Sequence, residues 1–198
     1  MDDSPQYWNH NTAYHSWILR HARGKALDVG CGDGLLVERL ASCCGSVVGI
    51  EPDEEAFQRA SQRLAQMPNT HLVRGDFIDY ATIASAESFD VIVFVASIHH
   101  MDFAIALRES KRLLRPGGEL LVVGLSANKT LVDWGISALK LPFVRLAGFF
   151  GNKAEDIGVP VMQPDMNLAE IRSIVRQELP GARLRHGLYY RYILRWVK

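Results

Sequence analysis

Short apolar runs alternate with amphipathic segments over the first two-thirds of the chain. The apolar runs cover residues 26–29, 46–51, 70–76, 89–95 and 119–124, and glycine, proline or polar residues bound each of them, as is typical of strands. The run FDVIVFV at 89–95 is almost wholly apolar, as expected of a strand buried on both faces. Five strands joined by helical crossovers predict an α/β fold with a parallel, doubly wound sheet.

The helices between these strands are predicted from the spacing of apolar residues and from the residues that begin and end each helix. Apolar residues three and four apart indicate a helix from Leu35 to Ala41. Asp53 and Asp102 each precede an amphipathic segment, where a carboxylate accepts hydrogen bonds from the free N–H groups of a first helical turn. The sequence RPGG at 115–118 predicts the end of the helix that follows Asp102.

The last third of the chain does not continue this alternation of strands and helices. Residues 125–165 are apolar, interrupted by Pro142, and longer than an ordinary crossover, which predicts an insertion. Asn167 then caps a helix with Glu170 as its capping-box partner, and the end of the chain predicts a hairpin turning near Gly187. We therefore predict one domain, 1–198, with an N-terminal helical cap (1–23), a core (24–124), the insertion, and a C-terminal helix and hairpin (166–198).

Charge and cysteine usage narrow the class of protein. Lys plus Arg and Asp plus Glu balance at 22 each, so no long-range field attracts nucleic acid or an anionic membrane. The three cysteines include the adjacent pair Cys43 and Cys44 and show no metal-ligand spacing, which predicts reduced thiols, no metal and a cytoplasmic location. The N-terminus is acidic and polar, unlike a secretory signal, and charges at Asp133, Lys140 and Arg145 argue against a membrane span.

Three glycines follow the first predicted strand in the sequence VGCGDG. Gly30, Gly32 and Gly34 allow the backbone to approach a ligand closely, and the next helix presents free N–H groups and the positive end of its dipole. The dinucleotide fingerprint G-x-G-x-x-G/A fits poorly, because Leu35 occupies the third small position and Asp33 would repel a pyrophosphate. The turn thus predicts a nucleotide-like ligand other than a dinucleotide.

Acidic residues at three successive strand ends identify the parts of that ligand. Asp28, inside the first strand, needs donors such as an ammonium group. Glu51 follows Gly32 by nineteen residues, the spacing at which a carboxylate reaches ribose hydroxyls. Asp76 can accept from an adenine amino group, flanked by Phe77 or Ile78. Taken singly, each acid could be a helix cap or a solvated loop residue; together they predict S-adenosylmethionine.

The chain resembles the class I S-adenosylmethionine-dependent methyltransferases that act on small molecules. The resemblance is carried by LDVGCGDG, VVGIEPD, RGDFID, FDVIVFVASIHHMD and LLRPGGELLVVG, in that order across about residues 24–124. It implies a Rossmann-like, seven-stranded sheet with helices on both faces and an antiparallel last strand, and S-adenosylhomocysteine as product. The cofactor-binding residues that it implies are Asp28, Gly30, Cys31, Gly32, Glu51, Pro52, Asp76, Phe77 and Ala96.

The acceptor side is less well determined by the sequence. His99 and His100 follow the fourth strand and are candidate bases, although either could simply pack or hydrogen-bond within the protein. Residues before the first strand could form a lid or an ordinary surface helix with Trp17, Ile18 and Leu19 on the sheet; the lid candidates are His10, Asn11, Tyr14 and His15. The insertion, which contains Trp134, could bind a hydrophobic acceptor, form a dimer surface or cover the core.

Competing functions remain at this stage. The same fold could serve an NAD(P)-dependent oxidoreductase, disfavoured by Leu35 and Asp33, or a non-catalytic module that binds the cofactor without transferring a methyl group. The basic, aromatic C-terminal tail could suggest RNA, but its period-two pattern is simpler to interpret as edge strands. The expected partner is a small-molecule methyl acceptor, with no nucleic acid, for a monomer or a homodimer.

Overall fold

A seven-stranded sheet forms the centre of the computed structural model, which describes residues 11–127, 164–187 and 191–198. Its strands are β1 (Lys25–Val29), β2 (Ser46–Glu51), β3 (Thr70–Arg74), β4 (Phe89–Val95), β5 (Leu114–Leu125), β6 (Arg183–His186) and β7 (Arg191–Val197). They are ordered β3-β2-β1-β4-β5-β7-β6. The first five run parallel, and β7 is antiparallel to both β5 and β6. The predicted fold class is confirmed.

Helices cover both faces of the sheet. The described residues form α1 (His15–His21), α2 (Leu35–Ala41), α3 (Glu54–Leu64), α4 (Phe77–Ile83), α5 (Phe103–Leu113) and α6 (Leu168–Glu178), with short 3-10 turns at Thr12–Tyr14 and Ile98–His100. The predicted caps are present: the Asp53 carboxylate accepts from the Ala56 amide at 2.8 Å, and Asn167 forms a capping box with Glu170. Side-chain capping therefore fixes where these helices begin.

Two buried clusters lie on opposite faces of the sheet. Side chains of α4, α5 and α6 pack against Leu27, Ile50 and Phe94 on one face. Side chains of α1, α2 and α3 pack against Ala26, Val47 and Val93 on the other. Successive strand residues thus alternate between two apolar layers, which is why the strands of the sequence are nearly continuous apolar runs.

Strand order reverses between β1 and β4, since β2 and β3 extend to one side of β1 while β4 and β5 extend to the other. In open α/β sheets the crevice at the carboxyl ends of the strands, where the order reverses, is where ligands bind. The glycine turn after β1, the end of β2 and the residues after β4 therefore meet at one place.

Two element predictions need correction. Strand β5 begins at Leu114, not Glu119, because RPGG forms an irregularity within it: Phe89 pairs with Leu114 and Val91 pairs with Glu119. The Gly117 amide donates to the Lys198 carbonyl there, so the chain end supports this irregularity. The third strand ends at Arg74 and helix α4, which we did not predict, starts at Phe77.

Candidate active site

The glycine turn is held against β2 by backbone hydrogen bonds. The Gly30 and Cys31 amides both donate to the Ile50 carbonyl, at 2.8 and 3.0 Å. Gly30 and Gly32 have φ angles of 70° and 56°, in the left-handed region that favours glycine. A Cβ on Gly30 would lie 2.5 Å from the Ser97 Cβ, whereas a Cβ on Gly32 would meet nothing within 4 Å. There is therefore no room for a side chain at Gly30, whereas the space next to Gly32 is free of protein atoms of the described residues.

Glu51 joins the end of β2 to this turn. Its carboxylate accepts from the Gly32 amide at 2.8 Å through one oxygen and from the Asp53 amide at 3.0 Å through the other. The residue is buried, with 5% of its surface exposed. A carboxylate offers about four acceptor positions, so it can still accept hydrogen bonds from a ligand beside Gly32. The Glu51 carboxylate therefore lies against the glycine turn, and its contact with a ribose stays a prediction.

Asp28 is a buried carboxyl group with one oxygen atom that no described residue hydrogen-bonds. It is 2% exposed, and its Oδ2 atom has no hydrogen-bond partner among the described residues. Burial, and secondly the negative charge of Glu51, raise its pKa to about 8. A buried carboxyl oxygen without a donor is costly, so this atom fits a ligand that carries N–H donors or positive charge.

Cys31 and Ala96 lie beside the glycine turn with their backbone fixed by hydrogen bonds. The Cys31 side chain is buried, and burial, then Asp28, raises the pKa of its thiol, so the thiol is not a nucleophile. Ala96 follows β4 with a φ of 54°, uncommon for a residue with a Cβ. Its amide donates to the Val123 carbonyl at 2.8 Å, and the next residue, Ser97, donates through Oγ to the Val29 carbonyl. Hydrogen bonds on both sides thus hold this strained residue beside the glycine turn.

The third predicted strand end is arranged differently from the sequence expectation. The Gly75 amide donates to the Glu51 carbonyl at 3.1 Å, which brings the exposed residue Asp76 next to β2. Asp76 precedes α4, yet its side chain makes no capping bond and stays available. Phe77 is 2% exposed and packs edge-to-face on Phe94 at 5.4 Å. The Phe77 ring therefore belongs to the core and is not exposed to flank a ligand, whereas Ile78 is partly exposed. Pro52 is exposed beside Glu51.

Arg63, which the sequence analysis missed, clamps the glycine turn from α3. Its guanidinium donates to the Asp33 carbonyl and carboxylate, both at 2.9 Å, and to the Glu38 carboxylate at 3.0 Å. Because Arg63 neutralises Asp33, repulsion of a pyrophosphate by Asp33 is a weaker argument against a dinucleotide than the sequence indicated. No local pattern marks Arg63, since the two partners are thirty residues apart.

The two histidines after β4 occupy the 3-10 turn Ile98–His100, with ring centroids 4.2 Å apart. His100 is exposed, whereas His99 is partly buried and lines a cavity of about 330 Å³ between this turn, α5 and α6. The structure therefore separates the two candidates: His99 lines this cavity, whereas His100 is exposed.

The described N-terminal candidates, Asn11, Tyr14 and His15, contact other parts of the protein. Tyr14 and His15 are buried with Ile18, and the His15 Nδ1 lies 3.0 Å from the Arg39 Nη1. Burial, and then Arg39, lower the pKa of His15 to about 4. Asn11 accepts from the Arg191 guanidinium of β7 at 2.8 Å. His10 and Trp134 lie outside the described residues, and the lid itself stays a prediction.

Metal and membrane sites receive no support within the described ranges. No group of three or more His, Cys, Asp or Glu side chains is arranged to hold a metal ion in residues 11–127, 164–187 and 191–198. No helix among the same residues is long and apolar enough to cross a bilayer.

Comparison with known proteins places this site in a family. Residues 27–122 match the methyltransferase domain family. An uncharacterised methyltransferase of Mycobacterium tuberculosis is 33% identical over 205 residues, covering 96% of this chain and 97% of that protein. A ubiquinone biosynthesis O-methyltransferase of Actinobacillus pleuropneumoniae is 35% identical over 124 residues, 58% of this chain and 52% of that protein.

A solved structure agrees at the level of the fold. The S-adenosylmethionine-dependent methyltransferase from Aquifex aeolicus superposes with a TM-score of 0.62 at 16% identity, covering 92% of this chain and 88% of that one. The near-complete match to the mycobacterial relative adds sequence evidence along the whole chain. The chain therefore belongs to the class I S-adenosylmethionine-dependent methyltransferases.

Proposed function

We propose that the carboxyl ends of β1 and β2 and the residues after β3 hold S-adenosylmethionine, and that the chain transfers its methyl group to a small molecule. Two features of the site fit this cofactor. The Asp28 Oδ2 atom lacks a donor among the described residues, and the ammonium group of the methionine part would supply one directly or through water. The open space above Gly32 lies beside Glu51, where the ribose would rest.

In this reaction the residues of the site bind the cofactor and orient it toward the acceptor. Bound S-adenosylmethionine supplies a methyl group that its sulfonium already activates. Glu51 and Asp76 orient the adenosine part, while Asp28 and the glycine turn hold the methionine part. Correct alignment of two reactants can contribute about 7–11 kcal/mol to lowering a barrier. A base is required only where the acceptor must lose a proton, and we assign that role to His99.

The proposal extends to location and partners. All three cysteines are free thiols, including the adjacent pair Cys43 and Cys44, which supports a reducing compartment such as the cytoplasm. A single small-molecule acceptor remains the proposed partner, for a monomer or a homodimer that uses no metal.

Asp28 carries the proposal and provides its test. With a pKa of about 8 in the ligand-free protein, Asp28 is protonated at pH 7, and a cationic ligand favours its ionised form. Binding at pH 7 should therefore release about one proton, and affinity should rise as the pH increases from 6 to 8. Calorimetry of S-adenosylmethionine binding in phosphate and in Tris measures this release.

Two variants make the measurement specific. Asp28→Asn should abolish the proton release and weaken binding, whereas Glu55→Gln should change neither, because Glu55 is 86% exposed on the outer side of α3. A parallel titration with NAD⁺ tests the oxidoreductase alternative. Binding of NAD⁺ in place of S-adenosylmethionine, or identical proton release by Asp28→Asn, would overturn the proposal.

A further inference from the structure

The cavity beside His99 has the volume and the apolar lining of a binding site for a compact organic molecule. Its volume is about 330 Å³, within the range of small-molecule pockets. Most of its wall is apolar, formed by side chains of the 3-10 turn, α5, the end of β5 and α6 that include Ile98, Phe103, Leu125, Ile171 and Ile174. A molecule with a ring-sized apolar body would bury its surface favourably there.

Tyr192 supplies a polar group to this apolar wall. The residue is 1% exposed and lines the cavity, and its hydroxyl forms no hydrogen bond with another residue in the part of the chain that the structure describes. Buried tyrosine hydroxyls usually find a partner. The Tyr192 hydroxyl is therefore a donor and acceptor left available for a ligand.

Gly124 makes room for this phenol. Tyr192 on β7 pairs directly with Gly124 on β5, and a Cβ at Gly124 would lie 2.2 Å from the Tyr192 Cζ and 2.3 Å from its hydroxyl oxygen. Any larger residue would push the ring out of its place. The absence of a side chain at position 124 thus sets the position of the hydroxyl at the carboxyl end of β5.

The cavity and the glycine turn are neighbours. Ser97, whose Cβ would lie 2.5 Å from a Cβ on Gly30, directly precedes the turn that carries Ile98 and His99. Ile98 and His99 line the cavity. One short segment therefore touches the glycine turn at its start and the cavity at its end.

We propose that this cavity binds the methyl acceptor, an apolar molecule with a ring-sized body whose hydrogen-bonding group pairs with the Tyr192 hydroxyl. This inference rests on the proposed function and names the acceptor class for the same enzyme. Tyr192 is then a specificity-determining residue: it selects an acceptor that carries a hydroxyl, carbonyl or amine over an analogue of equal shape without one.

Two matched probes test the proposal on the full-length protein. 2-Naphthol and 2-methylnaphthalene have nearly the same size, but only the first carries a hydroxyl. In protein with ¹³C-labelled isoleucine methyl groups, both probes should shift the signals of Ile171 and Ile174. Tyr192→Phe should weaken 2-naphthol roughly 5- to 10-fold, the usual contribution of one neutral hydrogen bond, and leave 2-methylnaphthalene unchanged.

A second pair of variants tests the location independently of Tyr192. Ala104 lines the cavity, so Ala104→Leu should weaken both probes, whereas Ala169→Leu on the exposed side of α6 should weaken neither. Absence of shifts at Ile171 and Ile174, or equal loss of both probes in Tyr192→Phe, would overturn the proposal. Calorimetry with S-adenosylmethionine on the same samples separates these outcomes from failure of the proposed function, since the cofactor does not require Tyr192.

Discussion

At the scale of single residues, His99 and His100 differ in their access to the cavity. His99 borders the cavity and His100 faces solvent, so the two neighbours form a natural pair of test and control. If the acceptor must lose a proton, His99→Ala should lower methyl transfer about 10²-fold or more, the lower range of general base catalysis. The same variant should flatten the loss of rate toward acidic pH, because a protonated histidine cannot accept a proton from the acceptor.

The measurement is transfer of labelled methyl from S-adenosylmethionine into extracted metabolites between pH 6 and pH 9. His100→Ala should retain the profile of the unmodified enzyme. If His99→Ala also keeps both rate and profile, neither histidine is a base, and the acceptor reacts through a group that is already deprotonated.

At the scale of secondary structure, helix α3 holds the glycine turn through Arg63. The guanidinium holds the Asp33 carbonyl and two carboxylates, and its side chain is 32% exposed. We expect Arg63→Ala to weaken S-adenosylmethionine roughly 3- to 10-fold, because Asp33 and the neighbouring Gly32 amide lose their fixed position. The free energy of unfolding should fall by only about 1 kcal/mol, given the exposure of the pairs.

Calorimetry and thermal unfolding measure these two effects on the same sample. Arg59→Ala, one turn earlier on α3, is the control, since the ion pair of Arg59 with Glu55 is long, at 3.9 Å. Arg63→Lys should restore the charge without the forked hydrogen bonds, and thus only part of the affinity. Unchanged affinity in Arg63→Ala would show that the turn keeps its shape without the clamp.

Helix starts and acidic residues at strand ends could be predicted from the sequence, because interactions between nearby residues or neighbouring strands fix them. Asp53, Asp102 and Asn167 cap helices a few residues away, and the carboxyl ends of parallel strands must meet, which brought Asp28 and Glu51 together. The irregularity at RPGG could not be predicted, because it depends on a backbone pairing of Gly117 with Lys198 at the far end of the chain. Arg63 and Tyr192 were not predicted for the same reason, because each contacts residues that are distant in the sequence.

At the scale of the whole molecule, strand β7 contacts elements that are far apart in the sequence. Strand β7 inserts between β5 and β6, carries Tyr192 to the cavity, and hydrogen-bonds Asn11 near the N-terminus through Arg191. Its Arg195 forms two hydrogen bonds, at 2.8 and 3.1 Å, with Glu119 on β5. The position of Tyr192 thus depends on a strand that a partly buried ion pair helps to hold.

The Glu119–Arg195 pair makes stability depend on pH in a defined direction. Burial alone would raise the pKa of Glu119, yet the hydrogen bonds and charge of Arg195 lower it overall. A carboxyl whose pKa is lowered in the folded state stabilises the protein above its unfolded pKa, near ~4.3, and loses this contribution as the pH falls through the folded value. The pair should therefore contribute fully at pH 7 and fade in acid.

Arg195→Ala should lower the free energy of unfolding at pH 7 by about 2 kcal/mol, below the ~3–5 kcal/mol of fully buried pairs because Arg23 remains 3.5 Å from Glu119. Urea unfolding at pH 7 and at pH 3 measures the difference, which should shrink at pH 3 as Glu119 becomes protonated. Arg23→Ala is the matched control on the same carboxylate and should cost little, since Arg23 is 68% exposed. An equal loss at both pH values would mean that Arg195 stabilises β7 through packing of its side chain rather than through its charge.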